Sequence, residues 1–206
     1  MRVLIVDDHP IVTSGFRALL SGDSEIVILE APDAESGERT FVAEQPDVCV
    51  LDINLPSVSG FELARRILAR DTSARIIMFS MNDDPIFAVR AIEAGAKGYV
   101  SKSGDPWDLV EAIREVGKGR TYLPSAIARN IAFAGPSFAQ SPLAKLTSRE
   151  IEILRLLSMG KSLTEIAWQV HVSYKTIANT SSIMRQKLGV RTSAELVRLA
   201  IANSLT

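Results

Sequence analysis

VLIVDD (residues 3–8) and DVCVLD (47–52) are short apolar runs that end in carboxylates, and together they decide the fold of this chain. Two further apolar runs, IIMFS (76–80) and GYVSK (98–102), end on a serine and a lysine. Runs of this length that are rich in Val and Ile predict buried parallel strands. Because ligand chemistry in an open α/β sheet collects at the carboxyl ends of its strands, the four ends predict one polar pocket.

Strand and helix patterns alternate five times over the first 120 residues. The predicted strands lie near 2–7, 26–30, 48–52, 75–80 and 98–101, and the predicted helices near 10–21, 34–44, 60–70, 84–94 and 106–117. Five βα units in this length predict an α/β domain with a doubly wound parallel sheet and helices on both faces.

The periodic pattern weakens after Gly119, and Pro and Gly residues interrupt the stretch that follows. Residues 121–143 are therefore interpreted as a linker between two domains, within which 125–133 could form one helix.

The pattern becomes purely helical from Leu146 onward, with helices predicted at 147–159, 162–170, 174–188 and 193–204. Thr147 and Glu150 form a capping box, T-S-R-E, at the head of the first of these helices. Residues 144–206 are thus predicted to form a small all-α domain of four helices.

The composition excludes several classes of protein. No apolar stretch approaches the roughly 20 residues of a membrane span, and the N-terminus lacks a signal-peptide pattern, so we expect a cytoplasmic protein with no membrane partner. The lone cysteine, Cys49, excludes a disulfide framework and is interpreted as a core residue. Trp107 and Trp168 occupy helical positions and are predicted to be packing residues.

The net charge of −1 conceals a division between the two parts of the chain. Residues 1–120 hold 13 Lys+Arg and 20 Asp+Glu, a net of −7, whereas residues 121–206 hold 10 and 4, a net of +6. This asymmetry predicts a basic end that binds an acidic polymer. A chance partition of surface charge is the alternative.

The carboxylates Asp7 and Asp8 cannot both be buried unpaired, because like charges raise each other's pKa and desolvation is costly. A hard divalent cation resolves this conflict, and Asp52 on a neighbouring strand end can share it. Mg²⁺ fits best because it binds through a few carboxylates and accepts phosphate oxygens. For Asp7 and Asp8 alone a solvated turn is an equal alternative, and His9 is assigned to the loop because Mg²⁺ prefers oxygen.

Residues 1–120 resemble the receiver domain of two-component response regulators. The resemblance lies in VDDHP (6–10), LDINLPSVSG (51–60), FSMND (79–83) and EAGAKGYVSK (93–102). It implies a flavodoxin-like five-stranded sheet of order 2-1-3-4-5, and phosphorylation of Asp52 by a partner sensor histidine kinase. Asp7 and Asp8 would hold Mg²⁺, joined by the Asp52 carboxylate and the backbone carbonyl of Asn54.

The resemblance also implies roles for three residues on the last two strands. Ser80 would donate a hydrogen bond to a phosphate oxygen, and Lys102 would neutralise charge on the transferring phosphoryl group. Tyr99 matches the family's switch aromatic, which turns inward as the hydroxyl residue moves toward the phosphate; a half-buried strand tyrosine is the alternative. Ser103 follows Lys102 where many receivers carry proline, so no cis bond is expected there.

Helix 162–170, the turn 171–173 and helix 174–188 form a helix-turn-helix pattern, and residues 146–190 resemble the LuxR/FixJ/NarL-type DNA-binding domain. The resemblance implies binding to double-stranded DNA. Ile177, Met184 and Leu188 share one stripe of helix 174–188 and should pack inward. The opposite face and its flanks supply the candidate DNA contacts, which are Lys175, Thr176, Asn179, Ser182, Arg185 and Lys187.

The recognition helix departs from the family pattern. Relatives commonly carry a basic residue near Ala178, His at Thr180 and a basic residue near Ser181, and this chain has none of the three. Because Lys and Arg contacts to phosphates supply most nonspecific affinity, we predict weak binding by the monomer and dependence on a homodimer formed on phosphorylation. Asn179 is the candidate for adenine recognition.

The preferred interpretation is a transcription factor controlled by phosphorylation of Asp52. An adaptor whose helical domain binds a protein rather than DNA is the second interpretation, and the weakly basic recognition helix is its support. A phosphohydrolase with an aspartyl nucleophile is the third. Such enzymes need a second carboxylate two residues after the nucleophile, where this chain has Asn54, so we expect no enzymatic turnover beyond slow autodephosphorylation.

Overall fold

The computed structural model describes residues 1–20, 25–55, 58–81, 85–134, 142–170 and 172–202. The chain divides into two compact units, Met1–Phe133 and Ala134–Thr206. Each unit has its own buried core, and each is described by itself.

The first unit is built on five parallel strands. They are β1 (Arg2–Val6), β2 (Val27–Ala31), β3 (Val48–Asp52), β4 (Ile76–Ser80) and β5 (Gly98–Ser101). Their order in the sheet is β2-β1-β3-β4-β5, which confirms the expected order 2-1-3-4-5. The three central strands are almost fully buried, as expected for a parallel sheet covered on both faces.

Helices cover both faces of the sheet. They are α1 (Pro10–Leu20), α2 (Ala34–Glu44), α3 (Gly60–Arg70), α4 (Pro85–Glu93) and α5 (Pro106–Gly117), and a sixth helix, α6 (Ser125–Ala134), follows them in the chain. One core cluster joins residues of α1 and α5 to every second residue of β1, β3 and β4. Contacts of α2 with β1 and of α3 with β3 and β4 cover the other face, and α4 contacts β5.

The second strand differs from its prediction by one residue. It begins at Val27 rather than near residue 26, and Val27 itself is exposed. Because β2 lies at the edge of the sheet and pairs only with β1, less of its surface is buried, and its apolar pattern marks its ends poorly.

The segment after α5 pairs with β5, at the edge of the sheet opposite β2. Tyr122 forms a parallel bridge with Gly98, and its backbone pairs with β5 through Tyr99 N–H to Tyr122 O (3.1 Å) and Tyr122 N–H to Lys97 O (2.9 Å). The Tyr122 hydroxyl donates to Asp108 Oδ1 at 3.0 Å on α5. Part of the predicted linker, residues 121–143, is therefore attached to the sheet.

The second unit is helical, as predicted. A short 3₁₀ helix (Pro142–Lys145) precedes α7 (Ser148–Ser158), α8 (Leu163–Gln169), α9 (Tyr174–Leu188) and α10 (Ser193–Ala202). The predicted capping box of Thr147 and Glu150 is confirmed at the start of α7, and Ser162 with Glu165 forms a second one at α8. Apolar side chains from all four helices fill the core of this unit.

The prediction that both tryptophans are packing residues is wrong. Trp107 is 60% exposed and Trp168 is 80% exposed. Trp107 is the second residue of α5, whose buried face begins at Leu109, and Trp168 lies on the side of α8 opposite the buried Ile166. Cys49 is buried as predicted, and burial raises the pKa of its thiol to about 12.

The described helices include none that is long and apolar enough to cross a membrane.

Candidate functional site

The register of the sheet brings the predicted polar residues together. Val6 of β1 pairs with Leu51 of β3, so Asp7 and Asp52, the residues that follow them, meet at the carboxyl edge. Asp52 in turn pairs with Phe79, and Ser80 pairs with Ser101. The side chains of Asp7 and Asp52 are both only 1% exposed, which is rare for carboxylates and requires compensating partners.

Lys102 is the cation that reaches both buried carboxylates. Its Nζ lies 2.8 Å from Asp7 Oδ2 and 2.8 Å from Asp52 Oδ2, and its side chain is only 4% exposed. Its backbone N–H donates to Ser80 O at 2.6 Å, which fixes the strand end from which the side chain extends. Both contacts are short, charge-assisted ion pairs, and one ammonium is thus shared between two buried carboxylates.

Burial is the main influence on the pKa of Asp52. It raises that pKa above the ordinary value for an aspartate, and the negative charge of Asp7 acts in the same direction. The ammonium of Lys102 and the Asn54 backbone N–H, which donates to Asp52 Oδ1 at 3.1 Å, oppose the rise. The carboxylate of Asp52 is therefore held in an environment that disfavours its charge unless a further cation is close.

The acidic cluster fits a divalent cation. Ligand atoms of Asp7, Asp8, His9 and Asp52 all lie within 4.8 Å of one another, so one ion could contact them together. Three carboxylates and one nearby ammonium leave two negative charges, which a divalent ion would balance. Asp7 Oδ2 and Asp52 Oδ2 are buried and share the single ammonium of Lys102, so a divalent ion bound by these carboxylates would add the charge compensation that burial requires.

His9 makes contacts that the sequence did not predict. Its Nδ1 lies 3.0 Å from Asp7 Oδ1, 2.9 Å from Asp8 Oδ1 and 3.9 Å from Asp52 Oδ2. Its backbone N–H also donates to Asp7 Oδ1 at 3.0 Å. The assignment of His9 to loop structure therefore missed an ionisable group of the cluster. Its position directly after two acidic residues was the available signal.

The backbone of Gly60 packs closely against the backbone of Asp52. Gly60, the first residue of α3, donates its N–H to Ile53 O at 3.0 Å. A Cβ atom on Gly60 would lie 2.0 Å from the Asp52 carbonyl oxygen, so only glycine fits. The glycine that ends the LDINLPSVSG segment thus sets the position of the strand end that carries Asp52.

Tyr99 is fully buried on β5, not half-buried. Its inward orientation is the one that the resemblance associates with the switch aromatic. Ser80 is fully buried on the neighbouring strand, and its proposed role toward a phosphate stays a prediction, with an ordinary strand-end serine as the alternative. The described part of the chain contains no cis peptide bond, in agreement with the expectation for Lys102–Ser103.

In the second unit, α8 and α9 flank a short turn, of which residue 171 lies outside the described residues. Ser173 caps α9 by accepting a hydrogen bond from the Thr176 N–H at 3.1 Å. Ile177 and Met184 are buried and Leu188 is partly buried, as the helical pattern predicted. Lys175, Thr176 and Asn179 are exposed and Ser182 is partly exposed on the other side of α9.

Two of the predicted DNA contacts have partners within this unit. Lys187 Nζ lies 2.8 Å from both carboxylate oxygens of Glu150, the residue that completes the capping box of α7. Arg185 Nη1 donates to the Arg191 carbonyl at 3.3 Å, in the turn before α10. Arg185 and Lys187 thus also connect α9 to other segments of this unit, and both stay predicted DNA contacts together with Lys175, Thr176 and Asn179.

Both units match family models. Residues 3–114 match the response regulator receiver domain, and residues 144–200 match the luxR family of bacterial regulatory proteins. Together the two models cover both the sheet with its acidic pocket and the four-helix unit.

Relatives share this arrangement over nearly their whole length. The chain is 34% identical to the methanol utilization control regulatory protein MoxX of Paracoccus denitrificans, over 96% of this chain and 89% of the relative. It is 33% identical to the response regulator UvrY of Escherichia coli K12, over 100% and 95%. A structure of RcsB from Salmonella enterica serovar Typhimurium, bound to a promoter in the presence of the phosphomimetic BeF3⁻, aligns with a TM-score of 0.61 at 29% identity and covers 97% of each chain. With the geometry of both units, these matches show that the chain belongs to the response regulators that join a receiver domain to a LuxR-type helix-turn-helix DNA-binding domain.

Proposed function

We propose that Asp52 accepts a phosphoryl group from a partner histidine kinase and that this controls DNA binding by the second unit. The observation that carries the proposal is the buried Asp52 carboxylate, paired with Lys102 beside a cluster that fits a divalent ion. In the proposed assignment residues 1–120 are the phosphoacceptor domain, 121–143 the linker and 144–206 the DNA-binding domain.

In the proposed transfer a carboxylate oxygen of Asp52 attacks the phosphorus of a phosphohistidine. The new O–P bond forms as the P–N bond breaks, and the electron pair of that bond stays with the imidazole of the kinase. Lys102 would neutralise charge on the equatorial oxygens, and the Ser80 hydroxyl would donate to one of them. Mg²⁺, held by Asp7, Asp8, Asp52 and the Asn54 carbonyl, would supply further charge neutralisation when bound.

In the proposed mechanism, strand β5 connects the phosphorylation site to the linker. Ser80 and Tyr99 lie on adjacent strands, and the backbone of Tyr99 is hydrogen-bonded to Tyr122, where the linker begins. A shift of Ser80 toward a phosphoryl group would alter the packing that holds Tyr99 inward, and β5 carries the change to the linker. A phosphate that interacts differently with two states of this region would shift the population between them.

Dimerisation on activation is the first expected result. The chain has a mass of 22.4 kDa, and size-exclusion chromatography with light scattering should show that mass double when Mg²⁺ and beryllofluoride are added. Asp52→Ala, which removes the group that beryllofluoride engages, should keep the monomer mass under both conditions. Dimerisation of parent and variant alike would contradict the proposed control by Asp52.

Lys175 and Asn179 are expected to contribute to DNA binding in different ways. Lys175→Ala should weaken binding to all sequences and reduce the slope of log K against log salt by about 0.9, because one phosphate contact is lost. Asn179→Ala should cost about 1–3 kcal/mol at the specific site only, because a bidentate contact to adenine is lost. Fluorescence anisotropy at several salt concentrations measures both quantities. Lys145→Ala, an exposed cation outside α9, is the matched control.

An adaptor function is the second candidate, and the exposure of Trp168 favours it. Trp168 is 80% exposed and Tyr174 is 56% exposed in a unit whose recognition helix is weakly charged, and exposed aromatic residues are frequent in protein interfaces. Gel shifts with the beryllofluoride-treated protein separate the two functions. DNA binding that weakens steeply with salt supports the regulator, whereas no shift at any salt concentration supports the adaptor.

A phosphatase activity is not expected beyond slow autodephosphorylation, because Asn54 stands where an acid/base carboxylate would be needed. A steady-state assay with a phosphomonoester should therefore show no sustained turnover.

A further inference from the structure

We infer that Ser101 and Ser103 position Lys102 for phosphoryl transfer, because their side chains fix the turn in which the lysine lies. The two serines are positioning residues, since they act through Lys102. The inference deepens the proposed function and rests on it, because it concerns the cation that would neutralise charge on the transferring phosphoryl group.

The turn that follows β5 is held by the side chain of Ser101. This serine is the last residue of β5, and its Oγ accepts the backbone N–H of Ser103 at 3.2 Å. The Oγ atoms of the two serines lie 2.8 Å apart, so a second hydrogen bond joins their hydroxyl groups. The Gly104 backbone N–H donates to Ser101 O at 3.4 Å and closes the turn. A serine hydroxyl that bonds the backbone two residues later stabilises a turn, and the residue between the two serines is Lys102.

Lys102 depends on a fixed backbone because its ammonium must meet two buried carboxylates at once. Its Nζ lies 2.8 Å from oxygens of both Asp7 and Asp52. The stem of a lysine is a flexible four-carbon chain, so the backbone position determines where the ammonium can lie. Misplacement of a catalytic group by about 1 Å can cost about 100-fold in rate.

The backbone at Lys102 is held on both sides. Its own N–H donates to Ser80 O at 2.6 Å, which anchors the residue to β4. The bond from the Ser103 N–H to Ser101 Oγ supplies the second anchor, directly after the lysine. Ser101 is only 9% exposed, so water competes little for its hydroxyl. Without this hydroxyl, the segment after Lys102 would lose the two contacts that the Ser101 side chain makes.

Phosphoryl uptake from acetyl phosphate by the full-length protein is the first test. Ser101→Ala should lower the maximal rate about tenfold, because Lys102 is displaced. The acetyl phosphate concentration at half the maximal rate should change less than about twofold, because the ammonium acts mainly on charge that develops during transfer. Ser103→Ala keeps the backbone donor and loses only the hydroxyl contact, so the rate should fall about two- to threefold. Ser101→Thr keeps the hydroxyl and should restore the rate of the parent.

Chemical labelling of lysines tests the position of Lys102 without any phosphorylation. Acetic anhydride should modify Lys102 slowly in the parent, because its side chain is only 4% exposed. In Ser101→Ala we expect this modification to be at least about threefold faster, because the loosened turn opens more often. Lys118, whose side chain is 58% exposed, is the internal reference, and mass spectrometry measures the modified fraction at each lysine.

Ser73→Ala is the matched control, because it loosens a turn of the same length away from the pocket. The N–H and Oγ of Ser73 donate to Asp71 Oδ1 at 2.8 and 2.6 Å. This turn precedes β4 and lies at the opposite end of the strand from Ser80. The control should leave both the uptake and the labelling of Lys102 unchanged.

The outcomes separate the inference from the proposed function. Uptake and Lys102 labelling in Ser101→Ala at the rates of the parent would overturn the inference and leave the proposed function intact. Equal losses of uptake in Ser101→Ala and Ser73→Ala would also overturn the inference, because the effect would then follow stability alone. No uptake by the parent, with faster labelling of Lys102 in Ser101→Ala, would support the anchoring of Lys102 and overturn the proposed function.

Discussion

Asp52→Asn is expected to reduce phosphoryl uptake from acetyl phosphate by at least about 10³-fold, because an amide cannot form the acyl phosphate. The measurement is incorporation of labelled phosphate into the full-length protein in the presence of Mg²⁺. Lys102 and Asp7, which lie beside the carboxylate, remain in place in this variant. The loss can therefore be attributed to the nucleophile itself.

Unfolding cannot account for the expected loss. Asp52 is 1% exposed, and burial raises its pKa, which means that the native state disfavours its charge. A neutral amide of nearly the same shape removes that charge, so the urea midpoint of the receiver should be no lower than in the parent. Asp47→Asn is the matched control, because Asp47 lies exposed just before β3, at its opposite end, and its amide variant can still accept the Arg2 N–H.

Uptake by Asp52→Asn at the rate of the parent would place the phosphate on another residue. Asp8 would then be the first alternative, since it is the most exposed carboxylate of the cluster. Mass spectrometry of the borohydride-reduced protein identifies the phosphorylated position, because reduction converts an aspartyl phosphate to homoserine at the site.

The ends of the strands can be predicted because the sequence pattern that marks them, an apolar run followed by a polar residue, is local. The strands β3, β4 and β5 are runs of buried residues, and the last apolar residue of each marks where the polar side chains begin, so the sequence predicts the positions of Asp52, Ser80 and Lys102. The order of the strands came from the resemblance to receivers. Periodicity alone does not say which parallel strands are neighbours.

Features that depend on the three-dimensional arrangement could not be predicted from the sequence. Lys187 stays a predicted DNA contact, but its contact with Glu150, which lies 37 residues earlier in the sequence, cannot be predicted from the local pattern. Trp168 lies in α8, a helix of seven residues, which is too short for periodicity to separate its faces. The preference of Mg²⁺ for oxygen assigns His9 to the loop, and only the three-dimensional arrangement shows its nitrogen beside Asp7 and Asp8.

Gly60→Ala is expected to lower the free energy of unfolding of the receiver by at least about 3 kcal/mol, the upper end of the usual cost of overpacking. The added Cβ would lie 2.0 Å from the Asp52 carbonyl oxygen and 2.8 Å from its carbonyl carbon. Both atoms belong to the backbone, so no side-chain rotation can relieve the overlap. Either α3 moves away from β3 or the end of β3 moves, and the buried residues of α3 resist the first change.

Urea unfolding followed by tryptophan fluorescence measures this cost in a Trp168→Phe background, where Trp107 is the remaining tryptophan and reports on the receiver. Gly15→Ala is the matched control, because a Cβ at this exposed position in α1 meets nothing within 4 Å. It should stabilise the receiver by about 0.5–1 kcal/mol, since alanine is the better helix former.

The effect of Gly60→Ala should also reach the phosphorylation site. The new methyl group overlaps the backbone carbonyl of Asp52, the residue that also carries the nucleophilic carboxylate. A shift of this backbone that relieves the overlap would therefore move the carboxylate away from Lys102. Phosphoryl uptake should therefore fall even at urea-free conditions where the variant is still folded. Uptake equal to that of the parent, with a large loss of stability, would show that α3 rather than β3 moves. A loss of stability below about 1 kcal/mol would contradict the tight packing of Gly60 against Asp52.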